Sequence, residues 1–495
     1  MPVLTLPPET GRGSQRLAGR ASVPLVIDLD GTIVRTDTLI EALLRLAATR
    51  PLLLLMLLPT LLLRGRAAFK ERVAGAVRLD PATLVYNEDV VTMAREARAA
   101  GRLVFLATAS ERSVADAVAG HLEAFDGVFA SENNVNLKGE TKAALLAAKF
   151  GEGGFDYAGD AEVDRPVWRR ARRAIMVLPS AKLARLVEAE CPNAVAIGRR
   201  PGAIAQLRVI AKAMRLHQWA KNVLIFVPML AAHRAALTTE LQAAVAFAAF
   251  SLCASSVYLL NDLVDLPHDR LHPSKRRRPF ASGALPLTLA PALIALTLGG
   301  GLFLAAFLPA SFLLMLAIYY ACTVSYSFAL KRQMVADVLM LAALYTIRVF
   351  AGAAATSIAV SPWLLAFSMF LFFSLAVVKR QSELTLHLRA GRGEVSGRGY
   401  LLEDLTMLNS MAASSGYMAV LVMALYINSN DVLPLYHTPQ ALWLLCPVLL
   451  FWISRVLMLS HRGGMNDDPV VFALTDRASL LTGAVGFCIF VAASV

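Results

Sequence analysis

Two groups of carboxylates in this sequence have the spacing of phosphate chemistry. The first is Asp28-Leu29-Asp30-Gly31-Thr32, which directly follows the apolar run Pro24-Leu25-Val26-Ile27. Two carboxylates two residues apart at a strand end can divide the work, the first attacking phosphorus and the second shuttling the leaving-group proton. The pair also makes a magnesium site, because hard oxygen ligands suit that ion. It has company along the chain. Leu103-Val104-Phe105-Leu106 leads into Thr108, Lys138 and Lys142 stand at the start of a helical stretch, and Gly159-Asp160 with Asp164 follow a short strand at Phe155–Ala158.

The second group reads Asn261-Asp262-Leu263-Val264-Asp265-Leu266-Pro267-His268-Asp269-Arg270, followed by His272-Pro273-Ser274-Lys275-Arg276-Arg277-Arg278-Pro279. Asp262, Asp265 and Asp269, at i, i+3 and i+7, are expected on one helical face. Three carboxylates there repel one another unless a divalent cation or a cationic partner neutralises them. The adjoining Lys/Arg run, with Lys275 and Arg278, repels a bare cation but welcomes metal-bound phosphates. A solvated loop accounts for the basic run alone, but not for the acidic array.

The elements that must position these groups divide the chain in two. Residues 22–197 mix buried-type strands ending in polar residues with helical patterns such as Glu111–His121 and Thr141–Phe150, which predicts an α/β domain. Residues 1–21, rich in Pro, Gly, Arg and Ser, read as a disordered tail without a signal-peptide core. Residues 198–207, with Arg199-Arg200-Pro201-Gly202, read as a linker. From residue 208 apolar runs dominate, and nine spans are expected at roughly 218–233, 240–260, 286–308, 311–329, 334–355, 361–379, 403–427, 440–459 and 475–494. The chain is 57% hydrophobic and only 17% charged, with a mean hydropathy of +0.57. Soluble domains average about 25% charged, so a purely soluble enzyme is excluded.

The net charge of +12 raises nucleic acid as a partner, but its distribution argues for membrane topology instead. With residue 208 in the cytoplasm, the loops on that side carry fifteen cationic residues, against Arg234 alone on the other. The α/β domain and the long polar loops are therefore expected on the cytoplasmic side. Cys191, Cys253, Cys322, Cys446 and Cys488 have neither disulfide nor zinc spacing and read as apolar fillers. Pro51–Leu63, apolar for 13 residues and too short to span, is either a buried helix of the α/β domain or a helix resting on the membrane surface.

Further polar residues sit in or beside the spans. Asp337 and Arg348 are 11 residues apart on the fifth, on one face three turns apart. Tyr326 and Lys331 lie at the preceding end. Lys379, Arg380 and Glu383 end the sixth span, and Lys221 and Asn222 follow Gln218-Trp219 at the first. All are expected to converge on one cytoplasmic cavity, with an interfacial anchor as the alternative for each alone.

The order of pieces over residues 22–175 resembles the haloacid dehalogenase (HAD) superfamily of aspartyl phosphatases. The resemblance implies a Rossmann-like domain with a small helical cap at about 36–88. It further implies Asp28 as nucleophile, Asp30 as general acid/base and Thr108 on the phosphoryl oxygen. Lys142 (with Lys138 as rival) would balance charge, and Asp160, supported by Asp164, would complete a Mg2+ site with Asp28 and Asp30.

Residues 208–495 resemble the UbiA superfamily of intramembrane prenyltransferases, an all-α bundle whose first aspartate motif matches Asn261 to Asp269. Where that family carries a second acidic motif, this sequence reads Lys379-Arg380-Gln381-Ser382-Glu383-Leu384, with one acid only. The segments Gln218–Asn222, Asn261–Gly283, Tyr326–Lys331, Tyr345–Gly352 and Lys379–Leu384 look instead like the decaprenyl-phosphate phosphoribosyltransferase branch. That resemblance implies phosphoribosyl diphosphate as donor, a polyprenyl phosphate as acceptor, and Mg2+ held by Asp262, Asp265 and Asp269. It also implies a role in building cell-envelope polymers. The two halves together imply transfer of 5-phosphoribose to the lipid, then removal of the 5-phosphate. The alternative is a prenyl diphosphate-dependent transfer to an aromatic acceptor, with a regulatory HAD domain. The sequence leaves the polyprenyl length open, and a homo-oligomer is compatible with it.

Overall fold

The computed structural model describes residues 23–63, 65–132, 135–234, 236–389, 399–465 and 468–494; the expected tail at 1–21 and the loop cations Arg392 and Arg398 lie outside them. The chain divides into two compact units. One comprises Met1–Ala213 together with Asp262–Ala290, and the other Met214–Asn261 together with Pro291–Val495.

In the first unit the strands β1 (Leu25–Ile27), β2 (Val104–Glu111), β3 (Gly127–Ser131), β4 (Asp156–Gly159), β5 (Arg173–Val177) and β6 (Val195–Ile197) form one sheet in the order β3-β2-β1-β4-β5-β6. All pairings are parallel. Alternation along the strands builds a core on each face. Leu25, Ile27, Val104, Leu106, Ile175 and Val177 pack on one side, and Val26, Ala107, Tyr157, Ala174 and Met176 on the other. Between β1 and β2 lie α1 (Thr38–Thr49), α2 (Pro51–Leu63), α3 (Gly65–Ala76) and α4 (Glu88–Ala99). The Asp37 carboxylate caps α1 by accepting from the amides of Leu39 and Ile40. The remaining helices of the sheet region are α5 (Arg112–Leu122), α6 (Glu140–Phe150), α7 (Arg165–Arg170) and α8 (Ala181–Glu190), with α9 (Ala203–Ala213) following β6. The strand expected to end at Thr108 runs on to Glu111, so Thr108 lies inside β2.

In the region after α9, eight helical segments among the described residues are long and apolar enough to cross a membrane. They involve α11 (Leu237–Val264), α13 (Ala290–Ala305), α14 (Ala310–Phe328), α15 (Ala336–Thr356), α16 (Pro362–Arg389), α17 (Leu405–Ile427), α18 (Leu445–His461) and α20 (Arg477–Ser494). Short helices α10 (Val227–Ala231), α12 (Leu266–Leu271) and α19 (Pro469–Thr475) lie between them. Of the nine expected spans, the one at 218–233 is not among these eight. That stretch is a 3-10 helix over Leu216–Phe226 followed by the single turn of α10, which carries Pro228 in its first turn.

Candidate functional sites in the two units

The sheet order reverses between β1 and β4, and ligands of open α/β sheets bind beyond the carboxyl ends of strands at such a switch point. The Ile27–Ala158 pairing of these two strands places their carboxyl ends side by side, and Asp28 and Asp160 follow directly. The Asp28 carboxylate accepts from Lys142 Nζ at 2.8 Å. Lys142, on the buried face of α6, also donates to the Tyr157 hydroxyl at 2.9 Å. That hydroxyl in turn donates to Asp164 at 2.9 Å. Lys138 is exposed.

One carboxylate oxygen from each of Asp28, Asp160 and Asp164 lies within 4.8 Å of the others. This all-oxygen set fits a hard divalent cation such as Mg2+. Burial, the approach of Asp164 and that of Asp30 push the Asp28 carboxyl up to about 8 against the pull of Lys142. Burial and Asp164 push Asp160 up to about 7 despite Arg200. The Lys142 ammonium, although buried, is held above its ordinary value by Asp28 and Asp164. The cluster thus carries more negative charge than Lys142 alone balances, the imbalance that a bound cation removes.

The Asp30 carboxylate turns elsewhere. It accepts from the Thr38 amide at 2.7 Å and from Ser110 Oγ at 2.5 Å, and Ser110 N donates to Thr108 Oγ1 at 2.9 Å. Asp30 therefore joins β1 to the first turn of α1 and to β2, and among the described residues its carboxylate is outside the oxygen triad. Tyr157 and Ser110 were not singled out from the sequence, since a strand tyrosine and a strand serine carry no local signal. Gly31 has φ +77°, and a Cβ on it would collide with the Asp160 carboxylate. Gly31→Ala is expected to cost about 1–3 kcal/mol, measurable as a lowered melting temperature of the full-length protein; an unchanged one would sink this account.

The second acidic array belongs structurally to the same unit. Its expected single helical face is broken at Asp265, where α11 has ended and Pro267 opens α12. Asp262 and Asp269 are both buried and still converge, because Arg278 Nη1 bridges them. Asp265 is half-buried, as is Asn261. Lys275 opens a 3-10 turn ahead of Arg278; burial leaves the Asp269 carboxyl raised against the pull of Arg278 and, more weakly, of Lys275. The neighbouring Arg270 donates two bonds to Glu41 of α1, at 3.1 and 2.6 Å, and one to the Thr83 carbonyl at 2.9 Å. Glu41, itself buried, also accepts from Thr36 Oγ1 at 2.6 Å.

In the second unit the remaining residues fall into two clusters and a separate arginine. Lys221 and Lys379 both donate to Asp468, as does the Tyr345 hydroxyl. Asp468 caps α19 and was not anticipated. Burial raises its carboxyl, but the two lysines outweigh this and hold it far below the usual carboxylate range. Arg380, next in the chain to Lys379, donates to Asp337, to Glu383 and to the Tyr326 hydroxyl. Tyr400 also donates to Asp337, at 2.6 Å. Arg348 donates to Asn222 Oδ1 at 2.8 Å, and the Asn222 amide to Ser251. Asp337 and Arg348 thus have different partners although they share α15. Lys331 is on the 3-10 turn Leu330–Arg332, half-buried.

Residues 222–387 match the model of the UbiA prenyltransferase family. An uncharacterized protein, y4nM of Sinorhizobium fredii, is 36% identical over 95% of this chain and 91% of its own length. Nodulation protein NoeC of Azorhizobium caulinodans is 40% identical over 54% of this chain and 88% of its own length. The decaprenyl-phosphate phosphoribosyltransferase of Mycolicibacterium smegmatis is 32% identical over 54% of this chain and 86% of its own length. With its eight membrane-crossing helices and these relatives, the chain belongs to the UbiA prenyltransferase family.

Proposed function

We propose that the chain is a bifunctional membrane enzyme that makes a polyprenyl-phosphoryl ribose in two steps on the cytoplasmic side of the membrane. In the first, an oxygen of a polyprenyl phosphate attacks the anomeric carbon of phosphoribosyl diphosphate, and the bond from that carbon to the diphosphate breaks. Asp262, Asp265 and Asp269, with Asn261, are the residues that would hold Mg2+, which supplies positive charge to the leaving diphosphate. Lys275 and Arg278 attend the same anion. Lys221, Lys379 and Arg348 receive the 5-phosphate, with Asn222, Tyr326, Lys331, Asp337 and Glu383 orienting them and the sugar.

In the second step the N-terminal unit acts as a HAD-type phosphomonoesterase. Asp28 attacks the 5-phosphate, Asp30 protonates the departing ribose oxygen and then activates water, Thr108 bonds the phosphoryl oxygen, and Lys142 balances charge. Asp28 and Asp160, with Asp164, would hold the Mg2+ of this site, and Asp30 contributes from the adjoining turn.

The observation that carries the reading is the cation-rich end of α16. Lys379 and Arg380 occupy the place where a second acidic motif would serve a prenyl diphosphate, which favours a phosphorylated donor and a phosphorylated acceptor over an aromatic one. The test incubates the purified protein with labelled phosphoribosyl diphosphate, Mg2+ and a polyprenyl phosphate, and weighs the lipid products by mass spectrometry. Wild type is expected to give ribosylated lipid, and Asp262→Asn at least about 100-fold less. Absence of labelled lipid from wild type, with product from prenyl diphosphate and an aromatic acceptor, would replace this reading.

A further inference from the structure

Helix α2, Pro51–Leu63, is apolar along almost its whole length, and among its described side chains one side has partners within the unit. Leu57 packs against the small cluster of Ala42, Phe69 and Val73, and buried Thr60 accepts from Arg72. Leu52, Leu55, Met56, Pro59 and Leu63 recur at i, i+3, i+4, i+7 and i+11 along the opposite face. All five are exposed, Leu52 by 72%, Leu55 by 62%, Met56 by 73% and Leu63 by 83%. A soluble surface rarely tolerates such a stripe.

The charge around it is one-sided. Residues 42–66 contain Arg45, Arg50, Arg64 and Arg66 and no Asp or Glu, while Lys70 donates to the Ala109 carbonyl at 3.0 Å. The helix has only 13 residues and a proline inside it, too few to span a bilayer. An apolar face flanked by cations and shorter than a span is the composition of a helix lying in the headgroup region of an anionic bilayer. The chain brings that bilayer with it, because it has eight helices able to cross one.

We infer that the Leu52–Leu55–Met56–Leu63 face of α2 is a membrane-docking surface, seated at the boundary of headgroups and acyl chains of an anionic lipid leaflet. The contact holds the helical region between β1 and β2 at the lipid surface, and it stands whatever substrate the carboxylate site takes.

The test uses the full-length protein in nanodiscs of phosphatidylglycerol and phosphatidylcholine, doped with a phospholipid bearing a photoactivatable diazirine high on its acyl chain. After irradiation, labelled peptides are mapped by mass spectrometry, with Ala336–Thr356 as the internal standard of a membrane span. Label is expected on the exposed residues of Pro51–Leu63, falling at least about fivefold in the Leu55→Glu/Met56→Glu variant and on replacing phosphatidylglycerol by phosphatidylcholine. Both substituted side chains are exposed, and unchanged labelling of Ala336–Thr356 reports that the variant is inserted. The inference is overturned if the α2 peptide stays unlabelled while Ala336–Thr356 is labelled. Recovery only as a crosslink to a second copy of the chain, or labelling indifferent to the variant or to anionic lipid, overturns it equally.

Discussion

Asp28→Asn is expected to cut release of inorganic phosphate from the ribosylated lipid at least about 10³-fold, as loss of a nucleophile does, and to leave the 5-phosphorylated lipid as the end product. The substitution changes one atom of a buried group whose lysine keeps other partners, since Lys142 also donates to Tyr157 and lies 3.8 Å from Asp164. It also removes a negative charge from a cluster where burial and neighbouring carboxylates already disfavour ionisation of Asp28. The metal-free variant is therefore expected to melt no lower than wild type, which separates lost chemistry from lost folding. Phosphate release at the wild-type rate by Asp28→Asn would remove the N-terminal unit from the proposed pathway and leave the membrane unit's role standing.

Asp468→Ala is expected to carry a large stability penalty in the second unit. It leaves the ammonium groups of Lys221 and Lys379 without the anion they share, and the Tyr345 hydroxyl without its acceptor. Removing one partner of a buried pair costs about 3–5 kcal/mol, because the remaining charge stays desolvated. Asp468→Asn, which keeps an acceptor for Tyr345 and loses only the charge, is expected to fall between the two. Thermal unfolding of the three proteins in one detergent reads the order directly. Equal melting temperatures would mean that the lysines find other anions when Asp468 is absent.

How far the sequence revealed these sites depended on chain distance. Pro24–Ile27 and Phe155–Ala158 were legible as strands because parallel strands buried on both faces are short, continuous and apolar, and each lies within a residue of β1 and β4. The carboxylates that follow them needed only the strand ends to be located. The choice between Lys138 and Lys142 needed the register of α6, whose buried face carries Lys142. Asp468 was illegible, since 247 residues separate it from Lys221 and its local setting, Asp467-Asp468-Pro469, reads as an ordinary helix cap. Hydropathy reports the apolar run at 218–233 but not the change from 3-10 to α geometry after Phe226. The shared face of Asp337 and Arg348 was correctly placed on one helix, but a face does not specify which neighbouring helix each side chain meets.

The bond between Arg270 and Glu41 has a consequence for how the molecule is made. Its two ends are 229 residues apart, and the segment Met214–Asn261 of the other unit is translated between them. The ribosome therefore delivers all six strands of the sheet and the apolar stretch Met214–Asn261 before the last segment of that unit, Asp262–Ala290, exists. Nascent domains ordinarily close in the order of their synthesis. Here the buried carboxylate of Glu41 must wait for its guanidinium until Leu237–Val264 has emerged, so completion of the N-terminal unit is tied by the genetic order itself to insertion of the helix that precedes its final piece.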